Sequence, residues 1–197
     1  IDNEYNALSP NSFGNFEIST ILISTSFSQS DENSSETFDS FQNNRLVIAQ
    51  RLAALNGDSS GDIDEFGFPI GYGKNNQSVL IPAFISAYSG KSPESISLNA
   101  ISKTPLPSWS ISYNGLMNFD FIKESFKRFS LGHAYRSSYT LNNFKSNLEY
   151  NPDNTQLTDD SGNFINEFLF TNVNLVEQFN PLLKIDMELN NSLQIVM

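Results

Sequence analysis

Two carboxylates near the end of the chain, Asp186 and Glu188, have the spacing that acid–base chemistry would require. Residues i and i+2 of a strand project from one face, so the two groups would lie side by side. Lys184 and Asn190 share this alternation, however, and a strand face exposed to water explains all four residues equally well. The chain also lacks a nucleophile elbow, an HExxH motif and a P-loop. We therefore expect a protein that is not an enzyme.

The remaining candidates for site chemistry are few. His133 is the one histidine and has no carboxylate near it in sequence, so we predict a packed or hydrogen-bonded ring. Asp58, Asp62, Asp64 and Glu65 do not follow the EF-hand spacing, which places glycine at position six and glutamate at position twelve. We favour a solvated loop over a calcium site there. The chain has no cysteine, which excludes disulfides and thiolate metal sites. We expect no cofactor and no metal.

Charge and hydropathy exclude two classes of partner or anchor. The net charge is −11, and the first 65 residues hold 11 of the 22 acidic residues but only 2 of the 11 basic ones. An acidic chain without a basic footprint argues against nucleic acid as a partner. No run of about 18 apolar residues occurs, so no transmembrane helix is predicted.

The last fifteen residues carry the clearest structural pattern, because polar and apolar side chains alternate with two exceptions, Asn191 and Val196. This alternation predicts a strand far longer than the usual 5–6 residues or so, and a membrane-spanning strand needs only about 9–11. The pattern alone leaves open a transmembrane barrel wall and a long strand of a soluble sandwich. The predicted polar face holds Lys184, Asp186, Glu188, Asn190, Ser192 and Gln194, and the predicted apolar face holds Leu183, Ile185, Met187, Leu189 and Leu193.

Four segments have helical signals. Apolar residues at spacings of three and four predict a helix over 37–55, beginning near Ser34 or Ser35 and ending at Asn56. Residues 78–89 predict a short helix with Pro82 in its first turn and Gly90 as its stop. We also expect a brief helix start at 92–94 and one or two helical turns over 119–128.

Strand signals occupy much of the rest. We predict strands at 13–29 and 108–116, and over 129–141, where alternation changes phase at Asn142 and Asn143 as in a bulge or turn. We predict that 129–150, 164–177 and 182–197 are consecutive antiparallel strands joined by a polar loop and a turn at 178–181.

The fold class is mainly β with short helices. Three regions follow: a strand with a polar linker (1–36), a helical and loop insertion (37–104) and antiparallel strands (105–197).

Several stretches together resemble the SprA (Sov) family, the outer-membrane translocon of the type 9 secretion system. The chain begins without Met and stops inside an alternating segment, so we expect a piece of a longer protein, near that family's C-terminal end; residues 1–36 resemble it only loosely. The resemblance covers most of 37–197 and is carried by NNRLVIAQRLA (43–53), GFPIGYGKNNQSVLIPAFISAYSGK (67–91), PLPSWSISYNGL (105–116), FKRFSLGHAYRSSYTLNNF (126–144) and FTNVNLVEQFNPLLKIDMELNNSL (170–193).

The resemblance implies a slice of a very large transmembrane antiparallel β-barrel, exposed at the cell surface, that exports folded proteins and supports gliding motility. Its implied partners are secreted substrate proteins, a shuttle barrel of the PorV type, a plug protein and outer-membrane lipid. The polar face of the final segment would line the lumen, and the apolar face would contact lipid or packed protein. Loops within 37–103 would build caps and inserts around the channel.

Two alternatives stay open at this point. One is a different outer-membrane β-barrel transporter, such as a carrier of small nutrients. The other is a soluble, secreted, β-rich binding module, which would purify from water without detergent.

Overall fold

The computed structural model describes residues 11–57 and 59–197. These residues form a mainly antiparallel β structure with three helices, which confirms the fold class at that level, and the described strands make an open sheet and not a closed barrel. Two compact units divide the chain. The first holds residues 11–18, 22–104 and 139–175, and the second holds 19–21, 105–138 and 176–197. Residues 139–175 thus group with the two longer helices, and one break between the units falls between 104 and 105.

The first unit contains the two longer helices. The helix α1 spans Glu36–Leu55 and begins where the Ser35 hydroxyl accepts the Phe38 N–H at 3.3 Å. The predicted helix over 37–55 is confirmed, including its start and its end at Asn56. Such N-cap bonds satisfy one of the free amides of the first turn.

The second helix, α2, spans Gln77–Ser89 and packs against α1. The Asn76 side chain caps it by accepting the Ser78 N–H at 2.8 Å, and Gly90 ends it with φ +66°, a left-handed conformation suited to glycine. Pro82 lies in the second turn and not in the first, because this cap starts the helix at Gln77. The core between the helices contains Ile48, Ala49, Phe68, Val79, Ala83 and Ile96.

Two strand predictions and one helix prediction in or beside this unit need correction. The strand β1 covers only Phe13–Ser19, and 22–27 form turns because Thr25 and Ser26 hydroxyls bond the Leu22 carbonyl. No helix starts at 92–94, where Ser95 and Ile96 amides close a turn on Ser92. The predicted strand at 164–177 is two strands, β4 (Phe168–Leu169) and β5 (Asn172–Phe179).

The strand β3 is the longest element of sheet, spanning Phe126–Ser146. Asn143 has φ +52° within it, at the point where the sequence alternation changes phase. Ile81, Tyr139 and Leu141 form a second core in the first unit, with Phe16, Ile18 and Val173 packed around them.

The second unit contains the sheet that positions the candidate site. The strand β2 (Trp109–Tyr113) pairs with the first half of β3, and β6 (Lys184–Leu189) pairs with β3 on its other edge. β6 then turns back into β7 (Gln194–Val196). Between β2 and β3 lie a 3-10 turn (Gly115–Asn118) and the short helix α3 (Asp120–Ser125). The helical turns predicted at 119–128 are confirmed for 120–125 but are wrong for 126–128, where β3 has already begun.

The predicted order of the last strands is wrong. Residues 182–197 do not pair with 164–177 as one long strand; β5 and β6 both pair with β3, one after the other, and β7 pairs with β6. The Ala134 amide donates to the Pro181 carbonyl, and the Ala134 carbonyl accepts the Asn180 amide. The chain at 178–181 therefore continues along β3 and does not reverse direction. The reversal comes at Asn190–Leu193, where Ser192 has φ +67°.

Candidate functional site: a two-faced sheet

The register of β3 against β6 separates polar from apolar residues. Arg128 lies opposite Glu188, and Ser130 lies opposite Asp186, with Gly132 opposite Lys184 on the same face. Paired residues of an antiparallel ladder share a face, so these side chains form one surface, which we call the polar face. Gly132 leaves room on it, since a Cβ there would approach the Lys184 Cβ to 3.3 Å.

Ion pairs organise the charges of the polar face. Lys127 Nζ lies 2.8 Å from Glu188 Oε1, and an Arg128 guanidinium nitrogen lies 2.9 Å from Asp186 Oδ1. The register shifts between Phe126 and Arg128, so Lys127 is an extra residue of a bulge and reaches the same face as Arg128. Glu188 is 9% exposed, yet its charge has a partner within hydrogen-bond distance.

The opposite surface of the same strands, the apolar face, is made of aliphatic and aromatic side chains. Phe129 lies opposite Met187, and Leu131 lies opposite Ile185. β7 continues the separation at two of its three positions, with Ile195 opposite Met187 and Gln194 opposite Glu188, whereas Val196 lies opposite Asp186 on the polar face. Each strand therefore supplies alternate residues to two chemically different surfaces.

On the other edge of β3, β2 extends both faces. Ser110 and Ser112 lie opposite Ala134 and Gly132, which keeps the polar face lined by small side chains there. The apolar face gains an aromatic group in which Trp109 stacks on Tyr135 with centroids 4.4 Å apart. Its other members are His133, Phe179 and, by register, Ile111 and Tyr113, which are 55% and 50% exposed.

Sequence reasoning placed some of these residues and missed others. Lys184, Asp186, Glu188 and Gln194 lie in β6 and β7, as do Ile185, Met187 and Leu189, whereas Asn190, Ser192 and Leu193 belong to the turn and Leu183 precedes β6. The assignment of these residues to a lumen or to lipid stays a prediction. The basic partners Lys127 and Arg128 were missed, although an adjacent basic pair at the start of an alternating segment was a usable signal.

The other chemical candidates have structural roles. The Leu182 carbonyl accepts a hydrogen bond from His133 Nδ1 at 2.6 Å, so the ring is hydrogen-bonded. Asp64 accepts the Phe66 and Phe68 amides at 2.8 Å each, which closes the acidic loop on itself. Asp58 lies outside the described residues. In the described part of the chain, no three His, Cys, Asp or Glu side chains are grouped to hold a metal ion.

No family model matches the chain, and no curated protein does. None of the helices within 11–57 and 59–197 is both long and apolar enough to cross a bilayer.

Proposed function

We propose that this chain is part of the wall of a wide outer-membrane channel that conducts folded proteins to the cell surface. The observation that carries the proposal is the register of β3, β6 and β7, which sets a charged surface back to back with an apolar one. A strand in such a wall has one side in water and the other in hydrocarbon or against packed protein. The resemblance of 37–197 to the SprA family supports the same reading.

The polar face suits a water-filled lumen. Its ion pairs join partners whose side chains are between 12% and 64% exposed, so these charges meet solvent as well as each other. On β2 and β3, serines lie opposite alanine and glycine, and these short side chains leave a hydrophilic surface without projecting groups. Such a surface presents hydrogen-bonding groups to water and few apolar side chains to which a passing protein would adhere.

The apolar face suits lipid or a neighbouring barrel. Ile185, Met187 and Leu131 form its aliphatic part, and Trp109 stacks on Tyr135 at one end of it. Aromatic residues concentrate where a transmembrane barrel meets the headgroup region. An open sheet with such a face requires further strands to complete a wall, and we propose that the rest of a longer protein supplies them.

In this proposal the protein performs no reaction. Secreted proteins pass along the polar face, a PorV-type shuttle barrel receives them, and a plug protein seals the empty pore. The helices of 37–104 form an insert around the channel. Function of this kind would make the protein part of a type 9 secretion system that also supports gliding motility.

The test compares arginine on the two faces. Arginine at the bilayer midplane on a lipid face costs about 2–4 kcal/mol, whereas a charge in water costs little. Met187→Arg should therefore reduce the yield of folded, membrane-inserted protein severalfold. Gln194→Arg is the matched control, because its exposed side chain lies opposite Glu188 on the polar face.

Equal yields for Met187→Arg and Gln194→Arg, or a lower yield for Gln194→Arg, would contradict the proposal. Glu188→Arg, the change suggested by alternation alone, is a poorer control because it places a third cation beside Lys127 and Arg128. Recovery of the unaltered chain from water without detergent would instead favour the soluble binding module.

A further inference from the structure

A cavity opens in the second unit where the polar face passes from β2 to the end of β5. Its volume is about 420 Å³. Ala134 lies opposite Ser110 at this point, and because both are small the sheet has a hollow between longer flanking side chains. The lining consists of Ser108, Trp109, Ser110, Ala134, Tyr135, Arg136, Gln178 and Asn180.

Arg136 is the charged group of this cavity and has no acidic partner among the residues that the structure describes. On β6, Asp186 binds Arg128 and Glu188 binds Lys127, and both carboxylates lie opposite residues 128–130 of β3, away from Arg136. Glu177 accepts the Tyr135 hydroxyl at 2.7 Å and so is engaged with a residue whose ring belongs to the apolar face. The Arg136 side chain is exposed, so its guanidinium is available to a ligand.

The rest of the lining can complete an anion site. Gln178 and Asn180 carry side-chain amides, and Ser108 and Ser110 carry hydroxyls, all of which can donate hydrogen bonds. A guanidinium binds a carboxylate through two parallel N–H bonds, and such charge-assisted bonds are stronger than neutral ones. One cation with several neutral donors matches a single negative charge on a planar acceptor.

We propose that this cavity binds the carboxylate of an acidic side chain in an extended polypeptide. That the ligand is a polypeptide rests on the proposed function, because the cavity then opens on the surface along which secreted proteins pass. The site would give acidic segments of a passing protein a weak holding point beside the part of the polar face that β2 and β3 line with small side chains. Weak binding is required of a conducting surface, since a tight site would stop transport.

The experiment uses the full 197-residue chain in detergent micelles and two blocked pentapeptides, Gly-Ser-Asp-Ser-Gly and its Asn twin. Amide chemical shifts of Ser110, Ala134 and Gln178 report occupancy during each titration. We expect saturable shifts with the Asp peptide and about tenfold weaker binding of the Asn peptide, as the loss of one charge-assisted contact predicts. Arg136→Gln should lower the affinity for the Asp peptide by a similar factor.

Lys145→Gln is the control, because it removes an exposed cation of β3 that does not line the cavity. It should leave Asp-peptide binding unchanged, and Arg136→Lys should restore part of the affinity. If Arg136→Gln fails to fold by circular dichroism, the two peptides on the unaltered chain decide the question.

The proposal is overturned if both peptides bind equally, if Arg136→Gln binds as the parent does, or if inorganic phosphate occupies the site and the Asp peptide does not. This binding assay requires neither a bilayer nor transport. A negative result would therefore leave the membrane-insertion test of the proposed function standing, and the converse also holds.

Discussion

At the residue scale, one extra residue determines the charge pattern of the polar face. The bulge at Lys127 lets two consecutive residues of β3 contact β6 from the same side, and each reaches a different carboxylate. In regular alternation, Lys127 would project to the opposite face. Without the bulge, Glu188 would lose its partner at 2.8 Å and leave a carboxylate with little exposure to water.

The Arg128–Asp186 ion pair provides a test of how far the polar face is exposed to water. The two side chains are 51% and 26% exposed. A double-mutant cycle of Arg128→Gln and Asp186→Asn, measured by denaturation in micelles, should give a coupling of about 0.2–1 kcal/mol. High salt should reduce that coupling.

A salt-independent coupling of about 3 kcal/mol or more would mean that the pair is shielded from water, as in buried ion pairs whose partner is removed. The polar face could not then line an aqueous lumen. Lys145→Gln serves as the baseline for charge removal alone, because Lys145 has no ion-pair partner within 11–57 and 59–197.

Alternation predicted which residues share a face, but it could not predict their partners. Lys184, Asp186 and Glu188 do share one side of β6, as a period of two requires. Alternation alone does not place Lys127 on this face, because a bulge breaks the period at the residue that supplies the partner.

At the scale of elements, the β6–β7 hairpin explains why the chain end looked like one strand. Where β6 and β7 pair, even-numbered residues lie opposite even-numbered ones, such as Glu188 opposite Gln194. The alternation therefore continues in phase through the turn. The usable signal was Asn191, a polar residue at an apolar position within the turn-forming Asn-Asn-Ser sequence.

The first helix was predictable because its signals are local. Apolar spacing, a serine N-cap and Asn56 at the end all lie within the segment itself. The docking of 168–170 on α2 was not predictable, because it depends on Gln77, which donates to the Phe168 carbonyl and accepts the Phe170 amide across more than 90 residues of sequence.

Ser35 is the element-scale test. Ser35→Ala should lower the free energy of unfolding by about 0.5–2 kcal/mol, because the Phe38 amide loses its acceptor at the start of α1. Ser40→Ala, on the exposed side of the same helix, removes no such bond and should be neutral or slightly stabilising. Equal losses for the two variants would mean that the cap does not hold the helix start.

At the scale of the whole molecule, the sequence predicts the types of secondary structure that the structure contains, but it does not predict which strands pair with each other. A mainly β chain with a helical insertion follows from the strand and helix patterns. β3 is central in the sheet, because it pairs with strands that precede it and with strands that follow it in the sequence. Its position therefore depends on contacts between residues far apart in sequence. The face on which a side chain lies follows from the local alternation of a strand, whereas the strand's pairing partner depends on the packing of the entire sheet.

The central claim is that the two faces of β6 meet different solvents. The chain has no cysteine, so single cysteines at Met187 and Lys184 can each carry an environment-sensitive fluorophore without a background label. Met187 lies on the apolar face and Lys184 on the polar face of the same strand.

The measurement is fluorophore quenching in lipid vesicles, with a lipid-attached quencher and aqueous iodide. We expect the label at Met187 to emit at shorter wavelength and to be quenched by the lipid quencher, and the label at Lys184 to be quenched by iodide. Quenching of both labels by iodide alone would show that neither face meets lipid and would contradict a membrane wall.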